Sequence, residues 1–266
     1  MTSELYKLVN YISGLRFLFS TYIREYDISK ANINVLYSAG AIDKNLYERL
    51  LVAPREERQI TIGLMEQRDR KITKIKAAGI CKAKQDLFEA NDIQDQDILS
   101  IKNDAVFILN KNLKYTEFGN IKFILKNTYT EFVLLNGIEV YYGYDKVKGT
   151  ENIDTKGLGK NKYLHDEFMT DFIVYMLSEL SMGNVEDAIK SFSDFFNDYI
   201  NGDLDVGYYR EYNPASMYSI LNSSYKISLA DNSIDKLNVI NINYNMNILR
   251  ELFGYISNKY FTDMRF

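Results

Sequence analysis

The sequence predicts an α+β fold: an antiparallel sheet with helices packed on it, followed by a helical C-terminal part. Three observations carry this expectation. Residues 114–144 are rich in Tyr, Phe, Ile and Val and are punctuated by Gly119–Asn120 and Asn136–Gly137, pairs that join antiparallel strands. Residues 98–109, "ILSIKNDAVFIL", hold two short apolar runs around a polar turn, the pattern of a tight hairpin. Beyond residue 165 the period changes, and Phe168, Phe172, Ile173, Met176, Leu177 and Leu180 follow helical spacing. The expected division is an α+β domain over residues 1–160 and a mainly helical domain over 161–266. With 46% hydrophobic residues among 266, the chain has enough apolar surface for a substantial core.

Taken in order, Leu5, Leu8, Val9, Ile12, Leu15 and Phe19 predict a helix over residues 3–20. The β-branched and aromatic run Tyr22–Ile28 predicts a strand, and Asn32–Ala39 and Lys44–Leu51 two short helices ending near Pro54. Residues 59–91 read as helix with a break at Gly79, and "NDIQDQD" as a loop. The hairpin strands fall at Ile98–Ile101 and Ala105–Leu109. "DKVKGTENIDTKGLGKNK" is a Gly/Lys-rich connector. Helices over His165–Leu180, Val185–Ile200 and Met246–Phe261 complete the chain, with no fixed-period repeat.

Composition removes several chemistries. A single cysteine, Cys81, allows no internal disulfide and points to a reducing compartment. With one histidine, His165, the chain has too few ligands for a Cys/His zinc site, and no nucleophile motif accompanies it. Neither G-x-x-x-x-G-K-[ST] nor G-x-G-x-x-G occurs. No apolar run approaches the roughly 18–20 residues of a transmembrane helix, and the opening residues read as an amphipathic helix instead of a signal peptide. The 22 tyrosines, absent tryptophan and many Asn and Ile suggest an AT-rich coding sequence, as in many phages, with the host cytoplasm as the expected location. No membrane partner is expected.

Chemistry therefore rests on carboxylates, Lys, Arg and Tyr. Charge is uneven: 15 acidic and 7 basic residues lie from His165 onward, against 21 and 25 before it. The N-terminal part suits a polyanion and the C-terminal part repels one. Two carboxylates brought together by separate segments can hold divalent ions that activate a hydroxyl and neutralise a leaving pyrophosphate. Asp27, closing its predicted strand, and Asp104, at its predicted hairpin tip, are the candidates.

The order of these segments carries a resemblance. "EYDISKANINVL" resembles motif A of phage family B DNA polymerases, and "SIKNDAVFIL" resembles their motif C, although it holds one acid where the family has two. "NIDTKGLGKNK" is similar to the Lys-Gly element that follows the palm hairpins, and no Lys-x-x-x-Asn-Ser-x-Tyr-Gly motif is present. The resemblance covers residues 22–160 and implies a palm-like sheet. It further implies that Asp27 and Asp104 are catalytic and bind Mg²⁺, and that Arg58, Arg68 and Lys71 face a nucleoside triphosphate. Lys156 would approach nucleic acid. A protein partner is expected to supply what the chain lacks.

Each feature also has a plainer account. Asp27 is placed to cap the following helix, and Asp104 suits a turn without further duty. The basic stretch 68–84 is also what a solvated helix face looks like. His165-Asp166-Glu167 opens a helix, where the acids favour the positive dipole end. The competing functional class is a non-enzymatic phage structural or host-takeover protein that binds partners through an acidic helical surface.

Overall fold

The structure is a computed structural model that describes residues 2–145, 149–157, 167–204 and 239–263. The fold is α+β, as expected, but its strands form two sheets instead of one. The chain divides into two compact units, Met1–Leu15 with Thr21–Thr128, and Arg16–Ser20 with Tyr129–Phe266.

The first unit is built on a six-stranded sheet of order β1-β4-β5-β3-β7-β6. Its strands are β1 (Asn10–Ile12), β3 (Ile23–Ile28), β4 (Ile98–Lys102), β5 (Ala105–Leu109), β6 (Glu117–Phe118) and β7 (Ile121–Tyr129). Four helices accompany it: α1 (Ala31–Ser38), α2 (Lys44–Val52), α3 (Arg55–Arg68) and α4 (Arg70–Ala90). Tyr26 and Ile28 of β3, with Val106 and Ile108 of β5, pack against Val35 of α1 and Ile80, Ala83, Leu87 and Phe88 of α4. A smaller core joins Ile33 and Leu36 of α1 to Leu50, Ile62 and Ile72 of α2, α3 and α4.

The expected helix over residues 3–20 does not form. A 3₁₀ turn at Leu5–Lys7 is followed by β1, whose Tyr11 pairs with Ile101 of β4. The apolar spacing there was helical by coincidence. Leu8 and Val9 are exposed, and Ser13 N–H donates to the Leu99 carbonyl at 2.8 Å, a non-local bond that periodicity cannot reveal.

The long helical stretch breaks at Asp69, not at Gly79. The Asp69 carboxylate accepts from Lys71 N–H at 2.9 Å and so starts α4 afresh. Gly79 lies inside α4 because α1 presses on it: a Cβ there would collide with Val35 Cγ1. Gly79→Ala, which normally favours a helix, is therefore expected to lower stability by about 1–3 kcal/mol through overpacking. Urea denaturation of Gly79→Ala, Val35→Ala and the double variant checks this. Additive losses in the double variant would remove the steric account.

The second unit holds the four-stranded sheet β10-β9-β8-β2. Its strands are β2 (Phe17–Leu18), β8 (Glu131–Leu135), β9 (Ile138–Asp145) and β10 (Thr150–Lys156). Asn136 and Gly137, at φ 49° and 82°, make the expected turn between β8 and β9. The expected connector is instead strand β10, paired with β9 from Thr150↔Asp145 to Lys156↔Glu139. Helices α5 (Glu167–Ser181), α6 (Val185–Asn201) and α7 (Val239–Asp263) follow. Phe172, Ile173, Met176, Leu177 and Leu180 of α5 join Val133, Val140, Phe192, Leu249, Leu252 and Ile256 in one core. His165 and Asp166 lie outside the described residues. Among the described residues no helix is long and apolar enough to cross a membrane.

Candidate functional site

Asp27 lies inside β3, where it pairs with Ala105, the first residue of β5. The turn between β4 and β5 is the two residues Asn103–Asp104, with Asn103 at φ 51°. Asp104 is thus the immediate neighbour of the residue opposite Asp27. Ile28 N–H donates to the Asp104 carbonyl at 3.2 Å, and Asn103 N–H to the Val9 carbonyl at 2.6 Å, so three strands meet at this corner. Both Asp27 and Asp104 are half-buried.

The capping account of Asp27 fails. Helix α1 starts at Ala31 after Lys30, which takes a left-handed conformation at φ 46° and gives no side-chain cap. Asp104 does occupy a turn, and its carboxylate stands in a charged setting. Lys84 of α4 is buried, donates from Nζ to the Leu8 carbonyl at 2.6 Å, and feels the charge of Asp104. Burial lowers its pKa below the usual lysine value, while the thiol of Cys81 and Asp104 act in the opposite direction.

Strand alternation puts Glu25 on the same face of β3 as Asp27. Glu25 is fully buried and is met by Lys126 Nζ at 3.1 Å and Asn127 Nδ2 at 3.0 Å. Across Ala105 from Asp27 stands Lys102, in register on β4. The corner therefore carries cations and carboxylates side by side. Among the described residues no group of three His, Cys, Asp or Glu side chains is placed to hold a metal. Asp27 and Asp104 are two hard oxygen donors, and Mg²⁺ commonly takes one or two protein carboxylates, completing its shell with water and phosphate. In donor type the pair fits Mg²⁺.

The other anticipated residues lie apart from this corner. Arg58 donates from Nη1 to the Ala53 carbonyl at 2.9 Å, which ties it to the bend between α2 and α3. Arg68 ends α3 and Lys71 begins α4, both exposed beside the break at Asp69. Thirteen residues of helix separate Lys71 from Lys84, a rise of about 20 Å. Lys156 belongs to the second unit, with Nζ 2.6 Å from the Asp154 carboxylate. Its expected loop is the end of β10, and the Leu158–Lys162 part of the Lys-Gly element lies outside the described residues.

Sequence reasoning passed over Lys84, Lys102 and Glu25. Lys84 had a legible signal: Ile80, Ala83, Lys84, Leu87 and Phe88 hold the core positions of one helical face, and a lysine there requires partners. Glu25 had a weaker one, as an acid alternating with Ile23 on a β-rich run.

The profile of the family described as Bacteriophage PBS1 gene 130 protein matches residues 1–254. No curated protein matches the chain. The chain belongs to that phage family.

Proposed function

We propose that this member of the PBS1 gene 130 family performs nucleotidyl transfer, with Asp27 and Asp104 as the carboxylates of its centre. The observation that carries the reading is the pairing of Asp27 with Ala105, which sets two acids from segments 77 residues apart at one corner of a sheet. The order of strand, helices and hairpin is also the order implied by the resemblance to family B palms.

Bound Mg²⁺ would neutralise a nucleoside triphosphate and ease deprotonation of the attacking hydroxyl. The chain supplies the rest. The backbone bond from Ile28 to Asp104 holds the two acids in fixed register. Lys84 is a stationary positive charge anchored on Leu8. Arg68 and Lys71, at the far end of α4, suit the backbone of a nucleic acid better than a triphosphate at the carboxylates. Arg58 and Lys156 are committed to Ala53 and Asp154 in this arrangement and would have to exchange those partners to meet a ligand. A protein partner and action in the host cytoplasm belong to the same proposal.

Calorimetric titration of Mg²⁺ and Mn²⁺ into the protein, Asp27→Ala and Asp104→Ala, with and without a nucleoside triphosphate, tests it. Binding lost in both variants is the expected result. Identical traces for all three would discard the reading and favour the non-enzymatic one, which draws on the exposed acids Glu186, Asp187 and Asp194 of α6.

Lys102 supplies a second test. A cation in register with Asp27 opposes a divalent ion, so Lys102→Ala is expected to tighten Mn²⁺ binding by about threefold to tenfold at low salt. Weaker binding in that variant would show that Lys102 organises the carboxylates instead of competing for them.

A further inference from the structure

The second unit carries an apolar groove of about 460 Å³ between α6 and α7, lined by Ile189, Phe196, Met246 and Phe253 together with Ser193 and Arg250. Phe253 is 50% exposed, and Ile200 and Phe261 extend the apolar surface along the two helices at 56% and 62%. Large side chains are seldom left in such a row unless something covers them. Beneath the groove, Phe192 is buried and stacks toward Phe253 with ring centroids 5.5 Å apart, so the floor is fixed by the core.

Charge distinguishes the two rims. Helix α6 exposes Glu186, Asp187, Asp194 and Asp198 against one lysine, Lys190. Helix α7 presents Arg250 beside the groove. A second copy of this acidic helix pair would bring like charges together, which disfavours self-association. An amphipathic helix with basic flanks would place its apolar stripe on Phe196 and Phe253 and its Lys or Arg residues along α6.

We infer that the α6–α7 groove docks a basic amphipathic helix of a protein partner. The inference does not depend on nucleotidyl transfer, because it uses only residues of the second unit.

The test uses the full chain and two labelled synthetic peptides with the same helical spacing of Leu and Phe, one flanked by Lys and Arg, the other by Glu and Asp. Fluorescence anisotropy is expected to show saturable binding of the basic peptide, weakened about tenfold or more by Phe253→Asp, by Asp194→Lys, and by about 0.5 M salt. The acidic peptide is expected to bind at least about tenfold more weakly. Both substitutions are at exposed positions, and unchanged circular dichroism and Tm would show the variants folded. Equal binding of the two peptides, no binding of either, or indifference to Phe253→Asp overturns the inference. So does concentration-dependent self-association abolished by Phe253→Asp, which would make a second copy the occupant.

Discussion

Asp27→Asn is expected to reduce Mn²⁺-dependent incorporation of a labelled nucleotide on a primed template by about 10³-fold or more, with the fold intact. The substitution keeps the shape and removes the charge, so β3 still pairs with β5 while a metal loses an anionic ligand. Metal stabilisation of a developing charge is worth several kcal/mol, and each 1.36 kcal/mol is tenfold in rate. Asp104→Asn should lose activity to a similar degree but should also lower Tm, because the buried Lys84 loses the acid beside it. Lys84→Met added to Asp104→Asn is expected to recover part of that stability and none of the activity. Recovery of activity in the double variant would make Asp104 a counter-charge and remove it from the chemistry. Wild-type protein that incorporates nothing, with any metal and template, would end the polymerase-like reading.

What could be read from the sequence divides along physical lines. Elements with a local cause were legible: the hairpin Ile98–Leu109 announced by its Asn-Asp turn, the Asn136–Gly137 turn needing positive φ, and the five buried residues of α5 at helical spacing. Elements whose hydrogen bonds come from distant partners were not. β1 carries helix-like spacing and exists because β4 offers its edge, and β10 hides its pairing with β9 under Gly, Lys and Thr. The site followed the same rule. Asp27 and Asp104 were chosen for their order along the chain, and each sits where its own segment leads. The charges that surround them were missed because they belong to other elements: Lys84 reaches Leu8 across 76 residues, and Glu25 reaches Lys126 across 101. Spatial electrostatics of this kind has no one-dimensional pattern beyond a charged residue at a core position. The short α1 shows the converse: Asp27 had the spacing of a cap, yet backbone geometry at Lys30 starts that helix without one.

Glu131→Ala is expected to cost about 3–5 kcal/mol, the largest stability loss of any single polar substitution in the second unit. Glu131 is 1% exposed on β8, and three separate segments converge there. Its Oε2 accepts from the Tyr255 hydroxyl of α7 at 2.6 Å, and its Oε1 from Ser20 N–H at 3.2 Å. Alanine would strand both donors inside the protein, and an unpaired buried donor bears its full desolvation penalty. Lys259, almost fully buried one turn beyond Tyr255, lies 3.4 Å from Ser20 Oγ and over the Phe19 ring, so the cluster fastens α7 to the 16–20 segment. Hydrogen exchange should show protection falling first in β8, β9 and α7 of the variant. Uniform loss across both units would mean that Glu131 acts on global stability alone. The same cluster sets an alkaline limit. Burial, then the Glu131 charge and its hydrogen bond, push the Tyr255 hydroxyl well above its usual value near 10. A folded pKa raised above the unfolded one gives stability that is complete below pH 10 and is lost as pH climbs from there toward the folded value. The urea midpoint should therefore hold steady from about pH 7 to 9 and fall above 10. In Tyr255→Phe the midpoint should start lower by the missing hydrogen bond and decline less steeply. Parallel alkaline limbs for the two proteins would assign the fall to other tyrosines, among which Tyr142 is also raised by burial.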